Sequence, residues 1–115
     1  MTRAIVNAIC KPLPGAECSD PWGGGHDAWK IGGKMFACIG AMDQGVAVKT
    51  ASIDEALHLQ DLFGWDKAPY FHRSWVLIPW GTPEDEMRHR IHLSYGTVRS
   101  GLTRKAQAAL PDWSG

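Results

Sequence analysis

The sequence predicts an α+β domain, with an antiparallel β-sheet of about four to five strands packed against N-terminal, middle and C-terminal helices. Two observations carry this reading. Short apolar runs alternate with glycine-rich turn signals between residues 27 and 50, which is the pattern of a strand meander. Segments with helical spacing and their own start and stop residues precede and follow that meander. The chain has 115 residues, 44% hydrophobic and 21% charged, enough to enclose one core. No linker composition or internal repeat divides it, so a single domain over residues 1–115 is expected.

Taken in order, Ile5, Val6 and Ile9 recur at helical spacing behind Thr2, a capping residue, and Pro12, Pro14 and Gly15 end that helix. Gly23, Gly24 and Gly25 form a tip between strands. They lack the lysine and hydroxyl residue of a phosphate loop. Ala28–Ile31 reads as a strand, Gly32-Gly33 as a hairpin turn and Lys34–Ala41 as the return arm. Met42–Gly45 turns again into a third arm, Val46–Thr50. Strict alternation in Lys34–Ile39 sets Lys34, Phe36 and Cys38 on one face and Met35, Ala37 and Ile39 on the other, unless a bulge near Gly33 intervenes.

Ser52 and Glu55 have the spacing of a capping box. The helix they open carries Ile53, Ala56, Leu57, Gln60 and Phe63 along one face and stops at Gly64. Ser74–Trp80 is the last expected strand, with Pro79 tolerable near its end. Thr82 is then expected to cap a long helix with Pro83 at its first position. Met87, Ile91, Tyr95, Val98 and Leu102 make this the strongest periodicity in the chain. A break at Gly101–Thr103 leads to a short helix that Pro111 ends.

Composition excludes several classes. No run is long and apolar enough for a membrane span, and residues 1–11 read as an amphipathic helix rather than a secretory leader. Three cysteines, Cys10, Cys18 and Cys38, argue by their odd number against a closed disulfide framework and favour free thiols in a reducing cytoplasm. The formal net charge is zero. Residues 1–66 hold 5 Lys/Arg against 8 Asp/Glu, and residues 67–115 hold 7 against 4, so the chain is polarised toward a basic C-terminal half. His89 and His92 are three apart on the long helix, but spacing supplies no third ligand and Arg88 and Arg90 repel a cation. His26-Asp27 has no nucleophile placed beside it. No catalytic, cofactor or metal motif is present.

The informative polar residues are cations on strands. Lys30, Lys34 and Lys49 lie in three successive arms, and Arg73 enters the fourth. Lysine is a poor strand former, so its recurrence marks either a solvated face or a surface for an anion. Trp29 and Trp75, two of six tryptophans, lie in strands beside these charges, where core packing and base stacking both remain open.

Pro14-Gly-Ala-Glu17, Trp29-Lys-Ile-Gly-Gly-Lys-Met-Phe-Ala37, Val46-Ala-Val-Lys49, Pro69-Tyr-Phe-His-Arg-Ser-Trp75 and Ser94-Tyr95 with Leu102 follow one another in this order. In these segments the chain resembles the MmcQ/YjbR family of small bacterial proteins, over about Ile5 to Leu110. The resemblance implies an α+β fold similar to a double-wing DNA-binding domain. It also implies recurrent polar positions at Lys34, Lys49, His72, Trp75, Ser94 and Tyr95. Tyr95 falls in the buried register of the long helix and Ser94 is adjacent, facing toward the helix–sheet seam, so for this pair a hydroxyl tying helix to sheet is expected.

Two functions are therefore expected. One is a DNA-binding module with Lys30, Lys34, Lys49, His72, Arg73 and Trp75 at its interface. The alternative is a domain that binds an anionic small molecule or a protein through a cationic sheet-edge patch. A cytoplasmic monomer or weak dimer without cofactor accompanies either.

Overall fold

Thr2 caps the first helix, its hydroxyl accepting the Ile5 amide of α1 (Arg3–Cys10). The computed structural model describes residues 2–113, so Met1, Ser114 and Gly115 of the expected domain lie outside the described residues. Gly32 and Gly33 take φ of 57° and 82°, the conformation a two-residue hairpin turn demands. They join β2 (Asp27–Ile31) to β3 (Lys34–Ile39), and β4 (Gly45–Lys49) follows. Ser52 accepts the Glu55 amide at the start of α2 (Ile53–Phe63), and Gly64 ends it in the left-handed region. The last three elements are β6 (Trp75–Pro79), α3 (Glu84–Ser100) and α4 (Arg104–Ala108).

The described sheet has six strands where four to five were expected. β1 (Glu17–Ser19) and β5 (Asp66–Lys67) complete a six-stranded antiparallel sheet in the order β1-β2-β3-β4-β6-β5. Both are exposed edge strands of three and two residues, too short to show alternation. They exist because β2 and β6 offer them partners. Among the described residues no helix is long and apolar enough to cross a membrane.

The helices pack on one face of the sheet. Val6 and Ile9 of α1, Ala56 and Leu59 of α2, and Met87, Ile91, Tyr95 and Val98 of α3 meet Trp29, Ile31, Phe36, Ile39, Val46, Val48, Val76 and Ile78 in one buried cluster. The stripe expected on α2 is corrected here. Its buried residues are Ala56 and Leu59, whereas Leu57 and Phe63 are exposed. Spacing alone could not tell which of two adjacent apolar stripes would meet the sheet. Thr82 does not cap α3 either. Its hydroxyl donates to the Pro79 carbonyl, and Pro83 occupies the cap position with no side-chain bond.

The alternation expected in β3 is broken by a bulge. Trp29 pairs with Ala37 but Lys30 pairs with Met35, so Phe36 is one extra residue on β3. Phe36, Ala37 and Ile39 consequently all face the helices, while Met35 packs on the opposite face. Cys38 lies opposite Ala47 of that same face. Lys34, opposite Ile31, stays on the helix side at the exposed rim.

Ser94 resolves the end of the β3–β4 pair. Its hydroxyl donates to the Phe36 carbonyl at 2.6 Å and accepts the Lys49 amide at 2.9 Å. A helix side chain thus bridges two strand backbones, and the side chain itself is fully buried. Tyr95 donates to the Pro14 carbonyl and accepts from Arg99, tying α3 to the loop after α1.

Candidate functional site

Among the described residues no helix covers the second face of the sheet. Ala47, Ala68 and Trp75 form a small buried cluster there, with Met35, Phe71 and Leu77 packed against it. Beside this cluster lies a cleft of about 610 Å³, within the ordinary range for small-molecule sites. Its floor holds strand residues with small or no side chains, Cys38, Gly45 and Ala47, next to Leu77 of β6. Its walls are aromatic or sulfur-bearing: Trp22, Met35, Met42, Tyr70 and Phe71, with His26, Asp43 and Gln44 as polar members. Burial pushes the Cys38 thiol up to about 11, aided by the nearby Asp27 charge, so at neutral pH it is an uncharged part of the floor.

Two non-glycine residues adopt the left-handed backbone region, Asp43 with φ of 55° and Tyr70 with φ of 71°, and both line the cleft. That conformation costs roughly 1–2 kcal/mol for a residue with a Cβ. Asp43 is held there by Arg3, which donates to its carboxylate, and by Trp80, whose indole donates to its carbonyl. Tyr70 has no such tether, and its side chain is fully exposed at 105%.

One arginine pins the walls. Arg3 of α1 donates to the Gly25 and Gly40 carbonyls and to the Asp27 and Asp43 carboxylates. It thereby joins the glycine tip and the β3–β4 turn to the helix. Burial would raise the Asp27 carboxyl, but hydrogen bonds from Asn7 and Arg3 and the Arg3 charge outweigh it and hold the group below its ordinary value. A carboxyl depressed on folding stabilises the fold in full above its unfolded value of about 3.9, and that contribution is lost as pH falls through the lower folded value. The expected result is a stability that declines below about pH 4, with a shallower decline in Asp27→Asn; chemical denaturation across pH checks it. Equal acid slopes in the two proteins would remove Asp27 from the account.

The cations anticipated from sequence do not gather on one face. Lys30 lies opposite Met35 on the open face and opposite Glu17 of β1 on its other side. Lys49 lies opposite Trp75 on the open face, and its ammonium donates to the Ser74 hydroxyl at 3.0 Å. His72 Nδ1 accepts the Ser74 amide at 3.1 Å and lies 2.8 Å from the Ser74 hydroxyl. Lys49, Ser74 and His72 therefore form one hydrogen-bonded chain. Arg73 is exposed, and Lys34 is on the helix-side rim, apart from the other two lysines. Trp75 is 8% exposed and stacked on Phe71, with centroids 4.5 Å apart and planes at 27°.

Sequence reasoning missed Ser74 and the cleft walls. The run Pro69-Tyr70-Phe71 between helix and strand was the available signal, since aromatic residues in a loop have no helical or strand stripe to fill. Nothing local marked Met35, because the bulge alone puts it on the open face.

Comparison with known proteins supports the fold. A family model described as YjbR matches residues 12–97. The crystal structure of Deinococcus radiodurans protein DR2400, family-model domain DUF419, is similar with a TM-score of 0.84. That likeness covers 99% of this chain and 93% of the other at 17% identity, and at such identity it speaks for the fold alone. No curated protein matches the chain.

Proposed function

The chain belongs to the YjbR family, and from that premise we propose that it is a binding module whose open sheet face takes a small molecule with an apolar body and an anionic group. The observation that carries this reading is the 610 Å³ cleft on the uncovered face, with Lys30 and Lys49 on the same face. Lys30 is the direct cross-strand neighbour of Met35 in the cleft wall. Lys49 is two residues along β4 from Ala47 in the floor, about 7 Å of strand, and its ammonium would exchange the Ser74 hydroxyl for an anion held in the cleft.

Binding of DNA through a double wing is the competing reading, and it draws less support. Phosphate contacts dominate DNA affinity, yet the net charge is zero. Arg88 and Arg90 are paired with Glu84 and Glu86 on α3, Arg3 is engaged by two carboxylates, and Lys34 is on the opposite face from Lys30 and Lys49. Trp75, expected at a nucleic-acid interface, is covered by Phe71.

Isothermal titration with naphthoate and with its hydrogenated counterpart, decalin carboxylate, tests the proposal beside polarisation titrations with a short DNA duplex at low salt. At least one carboxylate should bind, and the Lys30→Ala/Lys49→Ala double variant should lose about tenfold in affinity or more, the worth of one charged hydrogen bond. Salt-dependent binding of the duplex with no response to either carboxylate would transfer the assignment to DNA.

A further inference from the structure

The lining of the cleft is selective about shape. Among the described residues it holds only one branched aliphatic side chain, Leu77, and no valine or isoleucine. Pockets for flexible chains or bulky saturated rings need such side chains to fill the space between ligand carbons. Here the middle of the floor is low, because Cys38, Gly45 and Ala47 carry small or no side chains, with Met35 and Leu77 of the neighbouring strand positions rising beside them. The walls offer π-systems and thioethers instead. Phe71 already stacks on Trp75, so a further ring placed on it would extend an existing stack. Trp22 is 56% exposed, and among the described residues its one aromatic partner is His26, edge-on with centroids 4.9 Å apart. Met35 and Met42 add polarisable sulfur, which favours aromatic contacts.

Tyr70 points the same way. Its ring is fully exposed, it has no stacking partner among the described residues, and its backbone is in a region that favours glycine. Folding gains nothing visible from a tyrosine there, whereas a ligand in the cleft would meet it at the rim.

We infer that the occupant of the cleft is a planar aromatic small molecule bearing an anionic group, its ring laid on the small-residue floor against Phe71 and covered by Tyr70. This rests on the binding reading proposed above and adds the requirement for planarity. The ring needs a low floor and an aromatic wall, and the anionic group needs the end of the cleft toward Lys30 and Lys49, which stand on the same sheet face beyond its lining residues. Aromatic pairs prefer offset-stacked or edge-to-face contacts, and the mixed orientations of the cleft's rings allow both.

The test compares naphthoate with decalin carboxylate, which share charge and carbon skeleton and differ in planarity. Naphthoate should bind about tenfold tighter, from one or two additional aromatic contacts. Tyr70→Gly should erase most of that preference while leaving the melting temperature unchanged or higher, because glycine accepts the left-handed backbone. A misfolded variant therefore cannot mimic the result. Equal affinities for the two acids, or a preference that survives Tyr70→Gly, would overturn the planar assignment and leave the binding reading standing. Binding of neither acid would overturn both.

Discussion

Gly45→Ala abolishes cooperative folding or lowers the melting temperature by more than roughly 10 °C, the largest effect expected of any single methyl group in this chain. A Cβ at Gly45 would overlap the Ile78 carbonyl oxygen and come within 3.0 Å of the Ile78 carbonyl carbon and the Pro79 Cα. Every one of these atoms is backbone, and Gly45 is itself paired with Pro79 in the ladder. No rotamer change relieves the clash. β4 and β6 must separate at one end, or β4 must slip and carry Val46 and Val48 out of the core. Overpacking of side chains typically costs about 1–3 kcal/mol, and a backbone clash between central strands belongs at or above the top of that range. Gly40→Ala is the control, since nothing lies within 4 Å of its Cβ, and it should stay within about 0.5 kcal/mol of the parent. Thermal denaturation of both variants decides the matter. An unchanged Gly45→Ala would mean that β4 and β6 are not held at the close spacing described.

Ser94→Ala is the second large effect. Removing one hydroxyl takes the side-chain partner from two backbone groups, the part-buried Lys49 N–H and the buried Phe36 carbonyl. Each unsatisfied group costs about 1–3 kcal/mol, so a loss of about 3 kcal/mol is expected, or roughly 10 °C in melting temperature. The strands cannot close the gap to bond directly, because the helix that carries Ser94 is held in place by Ile91, Tyr95 and Val98 in the core. Ser100→Ala removes an exposed hydroxyl that bonds only within its own helix and should change little. If Ser94→Ala melted like Ser100→Ala, water would have to satisfy the bridge, and the hydroxyl would lose its assigned role.

Several elements were legible in the sequence because their causes are local. Thr2 and Ser52 cap helices through an amide three residues away, and Gly64 stops a helix through its own φ. Gly32 and Gly33 turn a hairpin through theirs, and α3 shows its buried face as Met87, Ile91, Tyr95 and Val98. In each of these the determining interaction spans no more than one helical turn or one hairpin, whereas the Ser94 bridge reaches residues 45 and 58 positions away and was anticipated only through the family resemblance.

The candidate site was much less legible, for a corresponding reason. A bulge between β2 and β3 decides that Met35 faces the cleft and Ala37 faces the core, and a bulge is a property of two strands rather than one. β1 and β5 have no alternation of their own and exist only by pairing. Lys30, Lys34 and Lys49 looked equivalent in the sequence, yet register divides them between two faces. Sequence by itself therefore determined the α+β class, the order of the main elements and which residues begin and end them, since backbone conformation and helical spacing are written within a few residues. Only the tertiary structure decided which face stays open and which aromatic residues wall it. Those outcomes depend on strand pairings and helix docking between residues far apart in the chain.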